Sequence, residues 1–123
     1  MSRALLGASG YSAFMRGDPT VTEMIQTLDA IYVNAVVLGE LGAGFLRGRM
    51  RQKNEARFRQ FLASSRVSAL PIDEDTAERY AVILNALWTA GTPILTNDIW
   101  IAVSAMQHGL AVITTDAHFL KIP

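Results

Sequence analysis

The sequence lacks several features that would assign it quickly to a class. It has no cysteine and only two histidines among 123 residues, which excludes a disulfide framework and a thiolate metal site. No stretch approaches the roughly 20 apolar residues of a membrane span. The short apolar run after Met1 reaches polar residues by Ser9, too early for a signal peptide. We therefore expect a cytoplasmic protein without a membrane segment.

The formal net charge is also zero, but the charges are unevenly spread. Residues 1–46 contain two basic and four acidic residues, which gives a net charge of minus two. Residues 47–66 contain seven basic residues and one acidic residue, a net charge of plus six, and residues 67–123 contain two basic and six acidic residues, a net charge of minus four. A basic segment of this kind favours a polyanion or an acidic partner. A solvated helix face without any partner is the more common explanation of a basic run, and charge alone leaves both open.

What is present is enough for one folded unit. Half of the residues are hydrophobic, and the chain shows no linker, repeat or low-complexity tract, so we expect one domain over 1–123. Short strands that alternate with helices predict the α/β class, with a mainly parallel sheet flanked by helices. The predicted strands cover 3–8, 31–34, 67–72 and 110–114, and the predicted helices cover 10–16, 19–28, 35–48, 52–64, a segment capped by Asp73 or Asp75 and ended by Gly91, and 96–108.

Two of these helices are predicted to bury a continuous apolar stripe. The helix over 35–48 also contains glycines at 39, 42 and 44. They do not match a dinucleotide fingerprint, because Arg47 stands where the third glycine would be, so we expect them to allow close helix packing. The predicted stripes are Val37, Leu38, Leu41, Phe45 and Leu46 on one helix, and Ala77, Tyr80, Ala81, Leu84, Leu87 and Trp88 on the other.

Three carboxylates stand at the edges of apolar segments: Glu40, Asp98 and Asp116. Singly, Asp98 suits an N-cap and Asp116 a turn, but Glu40 interrupts an apolar stretch where an acid has little structural reason. Ligands of open parallel sheets bind beyond the carboxyl ends of the strands, so these acids are expected to converge. Clustered carboxylates usually share a divalent cation, here Mg²⁺ or Mn²⁺. Such a site favours phosphodiester hydrolysis by metal-activated water.

The order and spacing of several short fragments resemble a known family. The chain is similar to PIN-domain proteins of the VapC type, the ribonuclease toxins of bacterial and archaeal toxin-antitoxin pairs. The fragments are Leu5-Leu6, residues 9–17, Gly39-Glu40-Leu41 with Gly44, residues 91–94, residues 97–103, His108-Gly109-Leu110 and residues 114–119.

The resemblance implies roles for particular residues. Glu40, Asp98 and Asp116 would bind Mg²⁺ or Mn²⁺, and Ser9 and Thr114 would support them through hydrogen bonds. It also implies a VapB-type antitoxin as partner, RNA as substrate, and a homodimer. The basic segment would hold the RNA backbone, the antitoxin or a second subunit, and its leading candidates are Arg47, Arg49, Arg51 and Lys53.

The chain departs from the family at its first acidic position. Members ordinarily have Asp-Thr or a similar pair where this chain has Gly7-Ala8, and that Asp is a metal ligand. We therefore expect weakened metal binding and low or absent nuclease activity. Gly7 fits a naturally degenerate member retained for binding, or a chain altered so that a toxin can be expressed. A non-catalytic protein that binds an antitoxin or RNA is the alternative function.

The remaining candidates receive structural explanations. His108 at a helix end and His118 near Asp116 are predicted to be non-catalytic, since metal-activated water needs no histidine. The serines lack the spacing of a nucleophile elbow. Trp88 and Trp100 are predicted to lie in the core or in an interface.

Overall fold

A parallel sheet forms the centre of the molecule. The computed structural model describes residues 2–92, 94 and 96–115. Within that part of the chain the strand order is β3-β2-β1-β4, with every neighbouring pair parallel. This arrangement confirms the predicted α/β class. The strands are β1 (Arg3–Leu6), β2 (Ala30–Asn34), β3 (Val67–Leu70) and β4 (Ala111–Ile113).

Six helices connect and flank the strands in the described residues, close to where the sequence predicts them. Asp18 caps α2, because its carboxylate accepts a hydrogen bond from the Val21 N–H at 3.0 Å. Asp73, rather than Asp75, caps α5. Gly91 ends α5 in the left-handed conformation, with φ of 66°. The helices are α1 (Ala8–Met15), α2 (Pro19–Gln26), α3 (Ala35–Arg47), α4 (Arg51–Leu62), α5 (Glu74–Ala90) and α6 (Thr96–His108).

The strand register aligns three residues at the carboxyl edge of the sheet. Leu5 pairs with Tyr32 of β2, and Leu6 pairs with Ile113 of β4. Continuing this register to the strand ends places Gly7 between Asn34 and Thr114. We call these three residues, with the loops and helix starts that follow them, the carboxyl edge of the sheet.

The main core lies on both sides of the central strands. Leu5, Leu6, Ile31 and Val33 are fully buried there, as expected for a parallel sheet covered on both faces. An aromatic layer covers one side, in which the Tyr11 ring meets the rings of Phe58 and Phe61 edge-on at centroid distances of 5.0 and 5.2 Å. These contacts fasten α1 to α4.

A second, smaller apolar cluster joins α5 to α6 and contains Leu87, Ile99 and Val103. The prediction of a continuous buried stripe on α5 is wrong. Ala77 and Ala81 are exposed, and Trp88 is 71% exposed. The physical reason is that α5 packs mainly against one helix, α6, and a single neighbouring helix covers a narrower stripe than a sheet does.

The stripe of α3 is correct except at its last member. Val37 and Leu41 are buried and Phe45 is partly buried, but Leu46 is 59% exposed. Leu46 lies about 100° around the helix from Phe45, since an α-helix has 3.6 residues per turn. That rotation takes it out of the covered face. None of the helices in the described part of the chain is long and apolar enough to cross a membrane.

Candidate active site

Gly7 occupies the centre of the carboxyl edge as the N-cap of α1, with ordinary extended dihedrals of φ −77° and ψ 168°. Its N–H donates to the Ile113 carbonyl at 3.0 Å. A Cβ added here would lie 3.4 Å from that same oxygen and 3.8 Å from Thr114 Cβ, which are ordinary contact distances. Neither the backbone conformation nor the surrounding space requires glycine at this position.

Gly10, one turn further along α1, is different. A Cβ at this residue would lie 2.4 Å from the Ile113 carbonyl oxygen and 2.9 Å from Leu6 Cδ1. A backbone atom cannot give way as a flexible side chain can, so only glycine allows α1 to approach β4 this closely. This contact fixes the start of α1 against the carboxyl end of β4.

Ser9 and Thr114 meet at the carboxyl edge of the sheet. Their hydroxyl oxygens are 2.9 Å apart, and the Thr115 N–H donates to Ser9 Oγ at 3.0 Å. The structure therefore brings together the two residues predicted to support the acids. Their bonds attach the first turn of α1 to the segment that leads from β4 towards Asp116.

Glu40 and the first turn of α6 share one open groove of about 580 Å³. Glu40 lies half-buried in α3 and lines this groove together with Asn97, the neighbour of Asp98. Asp98 itself is 6% exposed. Asp116 and His118 lie outside the described residues, and among residues 2–92, 94 and 96–115 no group of three or more acids or histidines could hold a metal ion.

Asn34 is a residue of this edge that the sequence interpretation missed. Its side-chain oxygen accepts from the Val37 N–H at 3.0 Å and caps α3, while its Nδ2 donates to Ser104 Oγ at 2.9 Å. Both side chains are buried, with exposures of 0% and 1%. Asn34 thus joins α3, which carries Glu40, to α6, which carries Asp98. An asparagine before an apolar helix signals a cap, but nothing local reveals a partner 70 residues away.

The basic segment is not one continuous helical face. Arg47 ends α3 and lines the groove that contains Glu40, whereas Arg49 lies in the turn before α4. Arg51 pairs with Glu55 at 2.6 Å, and Lys53 is exposed on α4. Of the four candidates for RNA or partner contact, Arg47 alone lines that groove.

The glycines of α3 do not serve close packing, and that prediction is wrong for the described chain. A Cβ added at Gly39, Gly42 or Gly44 would meet no described atom within 4 Å beyond the adjacent turns of the same helix. Gly39 and Gly44 line the open groove. A glycine inside a helix costs roughly 0.5–1 kcal/mol relative to alanine, and packing against the described residues does not compensate for that cost.

A second cavity, of about 160 Å³, lies between α1, α3 and α4 and is lined by Tyr11, Arg16, Phe45, Asn54 and Arg57 among others. Burial raises the pKa of the Tyr11 hydroxyl, and the nearby Arg57 guanidinium partly opposes that rise. Tyr11 therefore stays protonated at neutral pH and acts here as a packing residue with a polar tip.

A sequence profile of the PIN domain matches residues 8–123. The ribonuclease VapC4 of Mycobacterium tuberculosis is 33% identical over 91 residues, which cover 74% of this chain and 70% of that protein. The chain is a PIN-domain protein of the VapC type. The profile match begins at Ala8, the residue that directly follows Gly7.

Solved structures share the fold of this PIN domain across nearly its whole length. A DNA-bound VapBC from Salmonella typhimurium superposes with a TM-score of 0.87 at 25% identity, covering 100% of this chain and 94% of that one. A member of the VapBC family of toxin-antitoxin systems, VapBC-5 from Mycobacterium tuberculosis, gives a TM-score of 0.76 at 27% identity, covering 98% and 90%. These solved structures therefore share the overall α/β fold of this chain.

Proposed function

We propose that this PIN domain has the active-site framework of a metal-dependent endoribonuclease toxin, and that Gly7 impairs it. The observation that carries the proposal is the position of Gly7. It lies between Asn34 and Thr114 at the carboxyl edge, in the loop where the family ordinarily supplies its first acid. Because Gly7 has no side chain, the site lacks one carboxylate and one negative charge.

The proposed metal ligands are Glu40, Asp98 and Asp116. Oxygen donors of this kind suit Mg²⁺ or Mn²⁺, and the groove gives the Glu40 carboxylate access to solvent. The bound ion would supply an activated water for attack on the phosphodiester. Asn34 would fix the angle between the helices that carry Glu40 and Asp98. Ser9 and Thr114 would orient the segment that leads to Asp116.

The proposed partner is an antitoxin of the VapB type. Support comes from the VapBC complexes among the solved structures of the same fold, one of them described as a member of a toxin-antitoxin family. A homodimer is proposed as well, and the exposed apolar residues Val82 and Trp88 on α5 are candidates for its surface.

A non-catalytic role is the second proposal, and one observation favours it. The fold does not demand glycine at position 7, because the dihedral angles and contact distances admit a side chain. A requirement of the fold therefore does not explain the loss of the acid. A chain retained for binding an antitoxin or RNA would tolerate that loss.

Cleavage assays on three versions of the chain separate these functions. The chain as it stands, Gly7→Asp and Gly7→Asn are incubated with a panel of structured RNAs and Mg²⁺ or Mn²⁺, with EDTA as the metal-free control. Gly7→Asn adds a side chain of the same shape without the charge. We expect Gly7→Asp to cleave RNA at least about 100-fold faster than the other two versions. Loss of a residue that supports a metal ligand lowers activity up to about 100-fold, and loss of a ligand itself should lower it no less.

Equal cleavage by all three versions would contradict the impairment, because Glu40, Asp98 and Asp116 would then suffice. Cleavage by none of them would favour the non-catalytic role. Manganese binding, followed by calorimetry on the same three proteins, tests metal affinity separately from turnover.

A further inference from the structure

The groove beside Glu40 runs along one face of α3. Its lining residues recur every three or four positions of that helix, which is the spacing of a single helical face. The opposite wall is contributed by the first turn of α6. The lining consists of Val36, Gly39, Glu40, Ala43, Gly44 and Arg47 from α3, and Asn97 from α6.

The two ends of the groove differ in charge. Glu40, a proposed metal ligand, lies towards one end, and Arg47 closes the last turn of α3. Arg47 lies seven positions after Glu40, which is about 10 Å along the helix axis at 1.5 Å per residue. Arg47 is exposed and has no ion-pair partner in the part of the chain that the structure describes. Its guanidinium is therefore available to a phosphate.

Glycine keeps the groove open between these ends. At Gly39 and Gly44 no side chain covers the surface of α3, and the space beyond each Cα is empty of other described atoms. Any larger residue would fill the groove from its floor. These two glycines weaken the helix without improving its packing, and an open path along α3 accounts for them.

We propose that this groove holds the sugar-phosphate backbone of a single-stranded RNA, with Arg47 contacting a phosphate two to three nucleotides from the acids. The inference rests on the proposed function and extends it to a substrate path. The separation of about 10 Å matches about three stacked nucleotides at roughly 3.4 Å each. The positive charge of Arg47 complements a phosphate, and Val36 and Ala43 offer apolar contact to the sugars. Arg51, held by Glu55 on α4, has no part in this path.

Binding can be measured on the chain as it exists, with cleavage suppressed by EDTA. The probe is a fluorescently labelled, mixed-sequence single-stranded RNA oligonucleotide, and its anisotropy is followed over a series of salt concentrations. We expect Arg47→Gln to weaken binding roughly fivefold and to reduce the salt slope by about 0.7, the contribution of one phosphate contact to a single strand. Gly44→Leu is expected to weaken binding by a similar factor because its side chain obstructs the groove.

Two matched controls accompany these variants. Arg59→Gln removes an exposed charge from α4, and Gly42→Leu adds the same side chain to α3; neither residue lines the groove. Both controls are expected to bind RNA within twofold of the parent chain. Thermal melting followed by circular dichroism shows that each variant is folded.

Several results would overturn the inference. Unchanged RNA affinity in Arg47→Gln and Gly44→Leu would do so, as would the absence of RNA binding by the parent chain. Displacement of the RNA by poly-glutamate as readily as by unlabelled RNA would assign the groove to an acidic protein segment. A change of molar mass in Gly44→Leu, without a change in RNA affinity, would assign it to a second copy of the chain.

The outcomes also separate this inference from the proposed ribonuclease. RNA cleavage by Gly7→Asp, with no effect of Arg47→Gln on RNA binding, would support the proposed ribonuclease and contradict the proposed RNA-binding groove. An effect of Arg47→Gln on RNA binding, with no cleavage by Gly7→Asp, would leave an RNA-binding groove without a ribonuclease.

Discussion

The carboxyl edge of the sheet and the α5–α6 pair are built on different principles. The edge brings together residues 7–10, 34 and 113–115, which are distant in the chain and meet through strand register and close backbone contact. The α5–α6 pair joins two helices that follow each other directly, and its apolar cluster comes from those helices and the residues beside them. The comparison shows that the candidate site depends on long-range geometry, whereas the outer pair depends on local contacts.

Polar contacts reinforce this difference. At the edge, the buried Asn34 and Ser104 join two helices from within the structure. On the α5–α6 pair, Asp73 is exposed. Its carboxylate accepts hydrogen bonds from the Thr76 N–H at 3.0 Å and from Gln107 Nε2 at 3.1 Å. The loss of a polar contact should therefore be more costly at the edge than in the outer pair.

The largest effect on stability is expected at Gly10. Gly10→Ala should lower the free energy of unfolding by about 3 kcal/mol, because the new Cβ collides with the backbone of Ile113. Gly7→Ala, the matched control, should cost less than about 1 kcal/mol, since its Cβ has room and alanine is only a poorer N-cap. Urea denaturation measures both. Similar costs for the two variants would remove the distinction drawn between these glycines.

A smaller loss is expected at Asn34. Asn34→Ala removes the cap of α3 and the buried bond to Ser104, each of which contributes about 1 kcal/mol. The total should be about 2 kcal/mol. Ser104→Ala should cost about half of that, and a double-mutant cycle should show coupling between the two residues. Purely additive effects would mean that the two helices are not joined through this bond.

The two tryptophans of the outer pair test its local character. Trp100 stacks on Tyr80 with ring centroids 3.9 Å apart, whereas Trp88 is 71% exposed. We expect Trp100→Ala to cost about 2 kcal/mol, below the range for fully buried aromatics, and Trp88→Ala less than about 0.5 kcal/mol in the monomer. Thermal unfolding at low protein concentration measures both. A large cost for Trp88→Ala that grows with protein concentration would place Trp88 in a subunit interface.

The smallest effect is a pH dependence at the start of α5. Hydrogen bonds from the Thr76 backbone, Gln107 and the Thr76 hydroxyl lower the pKa of Asp73 below its ordinary value. A lowered pKa stabilises the folded state above the ordinary pKa of an aspartate, and this contribution is lost as the pH falls towards the folded-state pKa. Asp73→Asn keeps a capping side chain without titrating.

The measurement for Asp73 is the free energy of unfolding from pH 7 down to pH 3 in both proteins. The parent chain should lose more stability than Asp73→Asn over this range. Parallel curves would show that the contacts of Asp73 do not favour its charged form.

The sequence predicts most of the fold because its signals are local. Asp18 followed by Pro19 marks the start of α2, and Gly91 marks the end of α5, each within the residues that form the structure. The exposure of Leu46 and Trp88 was predicted wrongly, because burial depends on which neighbour covers a helix and helical periodicity does not contain that information. The α/β class and the order of the elements follow from the pattern alone.

The candidate site was predictable only in part. Glu40 stood out as an acid within an apolar stretch, and the structure places it in an open groove. The Ser9–Thr114 contact joins residues 105 positions apart, and the family resemblance pointed to both residues. Asn34 and Ser104 were missed because their bond is a tertiary contact between unremarkable polar residues. The roles of Glu40, Asp98 and Asp116 as metal ligands stay predictions.

The freedom of the backbone at Gly7 has a genetic consequence. Two of the glycine codons differ from an aspartate codon at a single base. Replacing Gly7 by aspartate would also require no rearrangement of the fold at this position. Under the proposed function, a gene that uses one of those two codons for Gly7 would be one point mutation from encoding an active toxin, without any change in the fold.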